Sequence, residues 1–238
     1  MTGTIINIIA VLLGGGLGTL LGDRLPQRMR ETVMHGIGLV TLVVGIHLTL
    51  QTQNILIVMG SVLVGALLGE WWQISAGLEH ASEWLRQRVA QRLSDRSLAH
   101  FTEGFVTASL VFCVGPMTIV GAIQDGLTGD FSLLAIKSVL DGFAALAFAS
   151  TLGIGVLFSI LTLLVYQGGI TMLAGFAEMV LTAPMIAEMS ATGGVLILAI
   201  GLLLLDLKRI RVANLLPALL IAPLIVAALQ ALDIPLAP

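Results

Sequence analysis

Apolar residues run along this chain in long blocks with no alternation, broken by short polar or glycine-rich joints. Eight blocks are long enough to read as membrane-crossing helices: 3–21, 33–50, 54–70, 103–123, 131–149, 151–166, 189–206 and 212–231. A crossing helix needs about 20 mostly apolar residues. Backbone exposed to lipid must bond within helices or a closed barrel, and unalternated runs point to helices. The expected fold is therefore all-α, a polytopic transmembrane helix bundle forming a single membrane domain over 1–238.

Two stretches break the pattern. Residues 167–183 are apolar, but they open on Gln167-Gly168-Gly169 and end beside Pro184, which is short for a crossing. They read as a half-helix, a re-entrant segment, or the second part of one long broken helix. Residues 73–98 are polar and arginine-rich, yet Ile74, Leu78, Ala81, Leu85, Val89 and Leu93 recur at helical spacing beside Trp71, Trp72 and Trp84. That pattern suits an amphipathic helix in the membrane interface, or a cytoplasmic helix packed on a partner.

Composition agrees. Of 238 residues, 57% are apolar and 11% charged, against about 25% charged in soluble domains. Cys113 is the one cysteine, which leaves no internal disulfide and no cysteine metal spacing. No Lys or Arg precedes Arg24, so the first block lacks the basic start of a signal peptide and reads as a retained helix.

Charge supplies the topology. Arg24, Arg28 and Arg30 follow the first block; Arg86, Arg88, Arg92 and Arg96 follow the third; Lys208, Arg209 and Arg211 follow the seventh. With eight crossings these loops share one side, while Asp125, Asp130 and Glu188 lie on the other. Basic loops stay in the cytoplasm, so both termini are expected outside a bacterial inner membrane. The parity holds only if 167–183 does not make a further full crossing.

Glycine positions hint at an internal repeat. Gly15–Gly22 matches Gly168–Gly175, and Gly38–Gly45 matches Gly194–Gly201, at offsets differing by a few residues. The basic loops do not correspond in this register, and any two helices rich in Gly and Leu share some likeness. If the match is real, the copies are inverted, as in many secondary transporters. Gly14, Gly18 and Gly22, and Gly65 with Gly69, also have the spacing that lets helix backbones approach closely. Such faces make a homo-oligomer reasonable.

The candidate chemistry lies between 113 and 151. Lys137 and Asp141 stand four residues apart inside an apolar block, on one helix face. A charge at the bilayer centre costs at least about 2.5–3.5 kcal/mol, so such groups face a protein interior or a water cavity and usually pair. Either the two form an ion pair that fixes packing, or Asp141 binds a cation or proton with Lys137 as the competing charge. Pro116 would kink its helix or free a carbonyl for a ligand. Asp125-Gly126-Leu127-Thr128-Gly129-Asp130 reads as a tight turn, or as an acidic mouth that attracts cations. Glu178 becomes a second candidate if 167–183 re-enters the membrane. Asn7 is placed to hydrogen-bond across helices. The sequence holds no His-Glu-x-x-His, phosphate loop or catalytic triad, and the glycines near 14–18 lack the strand that a nucleotide fingerprint needs. No enzyme, cofactor or nucleic-acid role is expected.

The run Gly121-Ala122-Ile123-Gln124-Asp125-Gly126-Leu127-Thr128-Gly129-Asp130 resembles a bacterial integral-membrane family catalogued as domain of unknown function 554. So do Lys137-Ser138, Leu140-Asp141-Gly142, Ala149-Ser150-Thr151-Leu152-Gly153-Ile154-Gly155 and Val212-Ala213-Asn214-Leu215-Leu216-Pro217-Ala218-Leu219. The resemblance implies a bacterial membrane protein and transfers no binding residues. The leading expectation is a transporter or ion-conducting protein for a small solute of cationic class, with Asp141, Lys137, Asp125 and Glu178 as ion-binding candidates. A non-transporting scaffold is the alternative.

Overall fold

The computed structural model describes residues 1–22, 26–77, 80, 100–208 and 210–235, so most of the proposed 73–98 interfacial helix lies outside the described residues. The described residues form helices: α1 (Thr2–Gly22), α2 (Gln27–Thr49), α3 (Ile55–Trp71), α4 (Phe101–Cys113), α5 (Pro116–Thr128), α6 (Ser132–Leu152), α7 (Gly155–Met172), α8 (Ala174–Val180), α9 (Ala183–Leu204) and α10 (Ala218–Ala231). A 3-10 turn, Val212–Leu215, precedes α10. Among the described residues, six segments are long and apolar enough to cross a membrane, and α4 with α5 makes a seventh if the bent pair counts as one span. α3 is apolar but shorter, at 17 residues.

Burial runs opposite to that of a soluble helix. On α1 the buried face is small or polar: Thr4, Asn7, Val11, Gly14, Gly18 and Gly22. The exposed face carries Ile5, Ile9, Leu13, Leu17 and Leu20. Leu39 and Val43 of α2, Leu63 and Leu67 of α3, Phe143 of α6 and Val165 of α7 are exposed as well. An apolar exterior this broad would associate in water, whereas in lipid it is the expected surface. This is a polytopic helical membrane protein.

Packing resolves into two compact units, each assembled from distant parts of the chain. One comprises Met1–Ile37, Glu79–Cys113 and Met117–Ala177; the other comprises Gly38–Leu78, Val114–Pro116 and Glu178–Pro238.

In the first unit, α1 lies along α6 with its glycines against α6 carbonyls. A methyl at Gly14 would meet the Gly142 oxygen, one at Gly18 the Leu146 oxygen, and one at Gly22 the Ser150 oxygen. The numbers rise together, so α1 and α6 run parallel. Gly155 faces Phe101 and Ser109 meets Thr162, so α4 and α7 are parallel too. α1 and α7 run antiparallel, with Thr4 beside Thr171 and Gly15 beside Leu157. In the second unit, α2 is antiparallel to α9, and α3 to α10: Gly38 meets Leu205 and Gly45 meets Leu198, while Gly69 meets Asn214 and Gly65 meets Ala218. Within each unit these directions agree with eight alternating crossings. The glycine faces are filled inside the chain, so they offer no surface to a second copy.

The repeated glycines lie at close approaches between helices. The shift that carries Gly45 onto Gly201 carries Leu42 onto Leu198, and the structure pairs Gly45 with Leu198 and Gly201 with Leu42. The same shift carries Gly38 onto Gly194 and Thr49 onto Leu205, and Gly38 meets Leu205 while Gly194 meets Thr49. All four contacts belong to the one register of an antiparallel pair, with a repeated glycine at each close approach. In the other unit, Gly15 lies against Leu157 and Gly168 against Thr4, the antiparallel register of α1 and α7.

The helix break falls elsewhere than at the Gly168–Gly169 pair. Those residues continue α7 to Met172, and α8 follows after Leu173. Glycine is tolerated there because a transmembrane helix is held by its neighbours as well as by propensity. The bent pair is α4–α5, turned by 62°. Gly115 has φ +147°, a value open to glycine. Proline at 116 has no N–H for the Phe112 carbonyl one turn back. The Thr118 hydroxyl supplies that bond instead, donating to the Phe112 oxygen at 3.1 Å.

Candidate functional site

Asp141 is the tenth of the 21 residues of α6, close to the helix midpoint. Its partner Lys137 lies one turn earlier on the same face. Both are 6% exposed, and the ammonium contacts Asp141 Oδ2. Helical periodicity sends Leu134, Lys137, Ser138, Asp141, Ala145 and Phe148 inward, and Ile136, Val139, Leu140 and Phe143 outward.

α1 and α7 extend the pair into a buried network. Asn7 Nδ2 donates to Asp141 Oδ2 at 2.9 Å and to Gln167 Oε1 at 3.1 Å. Gln167 Nε2 donates to Thr4 Oγ1 at 3.2 Å, and Thr4 Oγ1 lies 3.4 Å from Thr171 Oγ1. Thr171 closes the series by donating to the Gln167 carbonyl at 2.9 Å. Asn7, Thr4 and Gln167 are fully buried. The Asn7 Oδ1 atom is buried without a hydrogen-bond partner. Glycines make the convergence feasible: with Gly14 and Gly18 against α6, the short Asn7 side chain can reach Asp141.

Asp125 occupies a different place from the one its sequence context suggests. α5 runs to Thr128, so Asp125 is helical and 5% exposed, not part of an open acidic turn. The turn comes later, with Gly129 at φ +73°. Asp125 Oδ2 accepts from the Gly3 amide at 3.0 Å and lies 3.0 Å from the Met1 nitrogen. It therefore satisfies donors at the start of α1, where a carboxylate is favoured by the helix dipole. Asp130 lies outside the helices and accepts from the Ser132 amide at 3.0 Å. Bonds from the Ser132 side chain and backbone hold its carboxyl below the usual carboxylate range. Glu178 is exposed on α8, whose seven residues are too few to cross. The network holds Lys137 and Asp141, and the hydrogen bonds described for it include neither Asp125 nor Glu178.

Glu188 has a larger structural role than its sequence position suggests. α9 starts at Ala183, several residues before the expected boundary, with Thr182 capping the Met185 amide and Pro184 in the first turn. Glu188 is therefore inside a helix and 1% exposed. It accepts from the Thr52 hydroxyl at 2.7 Å, the Gln53 amide at 2.6 Å and the Asn54 amide at 3.1 Å. It serves the start of α3 as Asp125 serves the start of α1. Among the described residues, no cluster of three His, Cys, Asp or Glu side chains could hold a metal ion.

A family described as "Protein of unknown function (DUF554)" matches residues 2–227, and the chain belongs to it. The chain is 39% identical over 222 residues to the "Uncharacterized protein YqgA" of Escherichia coli (strain K12), covering 92% of this chain and 94% of that one. It is 31% identical over 236 residues to the "Uncharacterized membrane protein YdfK" of Bacillus subtilis (strain 168), covering 97% and 98%. No solved structure matches.

Proposed function

We propose that this protein is a transporter or ion-conducting protein of the bacterial inner membrane, and that its solute is a small cation. The observation that carries the reading is the carboxylate of Asp141, placed near the middle of a membrane-crossing helix, bonded by Lys137 and Asn7, and linked through Asn7 to Gln167. Ionisable residues at such depth commonly mark solute or proton paths. The repeated glycine spacing supports it, because inverted repeats are a frequent architecture of secondary transporters. In this reading the basic loops face the cytoplasm and residues 1 and 238 face the exterior.

The test is flux into liposomes carrying the purified protein, across Na⁺, K⁺, Li⁺ and H⁺, with Asp141→Asn as the comparison. Transport by the native chain and its loss in D141N are expected. Full transport by a correctly inserted D141N protein would remove Asp141 from the path.

A second reading has its own support. Lys137 and Asp141 are buried and paired, as in a scaffold where the pair fixes packing. Liposomes that move none of these ions, with the protein folded, would favour the scaffold.

A further inference from the structure

The buried bonds beside Asp141 can run in one direction only. Thr171 Oγ1 lies 2.9 Å from the Gln167 backbone carbonyl, which can only accept, so the one Thr171 hydroxyl proton is spent there. Toward Thr4 Oγ1, 3.4 Å away, Thr171 is then an acceptor, and Thr4 gives its own proton. Thr4 must therefore accept from the Gln167 side chain at 3.2 Å, which places nitrogen Nε2 there. Gln167 thus shows oxygen Oε1 to Asn7, and Asn7 has to answer with nitrogen at 3.1 Å. The same nitrogen lies 2.9 Å from Asp141 Oδ2. Its two protons are spent, one on Gln167 and one on Asp141.

This order accounts for the buried Asn7 Oδ1 that has no partner. The two ends of an asparagine amide have nearly the same shape, so its neighbours decide which end faces where. Turning the Asn7 amide over would exchange two hydrogen bonds for two oxygen–oxygen contacts, which costs more than one unmatched acceptor. Thr171 anchors the series, because its carbonyl acceptor cannot reverse. The hydrogen bonds described for it go to Gln167 and Thr4, and none goes to Lys137 or Asp141. Without that hydroxyl, the Thr4 proton is free to turn to Gln167, and the Gln167 and Asn7 amides can turn over together.

We infer that Thr171 is a positioning residue for Asp141: through Thr4 and Gln167, its hydroxyl fixes which end of the Asn7 amide the carboxylate meets. Asp141 Oδ2 accordingly accepts from α1 as well as from Lys137 on its own helix. The order of the bonds stands on geometry; its service to a solute rests on the transport reading.

The test uses the full chain in detergent, with a nitrogen isotope label in its three asparagines, Asn7, Asn54 and Asn214, and reads their side-chain Nδ2 signals by NMR. N7A marks the Asn7 signal by its loss. In the native chain both Asn7 amide protons should exchange slowly into deuterated water. Thr171→Val keeps the side-chain shape and removes the hydroxyl. It should shift the Asn7 signal and speed that exchange by about tenfold, the effect of losing one hydrogen bond. Thr171→Ser keeps a hydroxyl that can bond the carbonyl one turn back, as Ser61 and Ser138 do, and should restore the native signal. Thr4→Val cuts the same series on α1 and stands in if T171V does not fold. An Asn7 signal that ignores the loss of the hydroxyl overturns the inference. So does a T171S chain that behaves like T171V, since bulk would then decide. In the liposome assay T171V should lose flux and T171S keep it; native flux from T171V with a shifted Asn7 signal overturns the positioning role. A native chain that moves no ion, with the Asn7 signals as expected, overturns the transport reading and leaves the order of the bonds standing.

Discussion

Asn7 Nδ2 lies 2.9 Å from Asp141 Oδ2, a bond between the first crossing helix and a residue 134 positions later. The same nitrogen reaches Gln167 on a third helix. Replacing Asn7 with Ala leaves Gln167 Oε1 without this donor and weakens the hold on the carboxylate. The cost should be about 1.5–3 kcal/mol, the range for a hydrogen bond to a charged group. Thermal unfolding in detergent measures it. A change below about 0.5 kcal/mol, the usual size of a surface substitution, would mean that the network is not held through Asn7.

The Lys137–Asp141 pair separates packing from function. Removing one partner strands a buried charge, so K137A or D141A alone should destabilise by about 3–5 kcal/mol. The double substitution K137M/D141L removes both charges while keeping apolar bulk at both positions, and it should recover much of that loss. Under the transport reading the double variant folds and carries no flux. A scaffold would keep its cellular phenotype in the double variant, which makes complementation of a deletion strain the deciding assay.

Two neighbouring glycines make opposite predictions. A methyl at Gly14 meets the Gly142 carbonyl, whereas one at Gly16 meets nothing within 4 Å. G14A should therefore cost about 1–3 kcal/mol through overpacking, and G16A should stay within about 0.5 kcal/mol. Size-exclusion profiles and melting temperatures of the two variants test the α1–α6 contact directly. Equal behaviour would place the glycine face elsewhere.

Asp130 supplies a pH signature. Its carboxyl is held below the ordinary range by Ser132, so the folded state favours the charged form. The benefit is present above the unfolded carboxylate value, about 4, and is lost as pH falls through the lower folded value. D130N should melt slightly below the native chain at pH 7, and the gap should close in acid. A gap that widens in acid would contradict the assignment.

How far the sequence reveals this arrangement varies by residue. Lys137 and Asp141 stand out because charge in an apolar run is expensive, and Asn7 because an amide is rare there. Thr4 and Thr171 do not, since hydroxyls in membrane helices commonly bond their own backbone, as Ser61 and Ser138 do here. Gln167 does not because the apolar block 151–166 ends just before it, which makes it look like part of a joint. Glu188 is hidden by the late boundary set for α9: Thr182 and Pro184 are ordinary start signals, but they sit where the apolar run is still weak. The glycine spacing is legible because a close approach to a neighbouring helix leaves no room for a larger residue, as at Gly45 and Gly201. The location of the break is less so. Gly168-Gly169 looks weaker than Gly115-Pro116, yet the first pair keeps its backbone bonds and the second cannot make one of them.

The close approaches of α2 and α9 fix more than distance. When Gly45 meets Leu198 and Gly201 meets Leu42, each helix carries both a notch and the knob that fills the other's notch. Sliding one helix along the other would set leucine against leucine. Shape alone thus holds the register of this pair, in a medium where apolar surface gives one helix no preference for another over lipid.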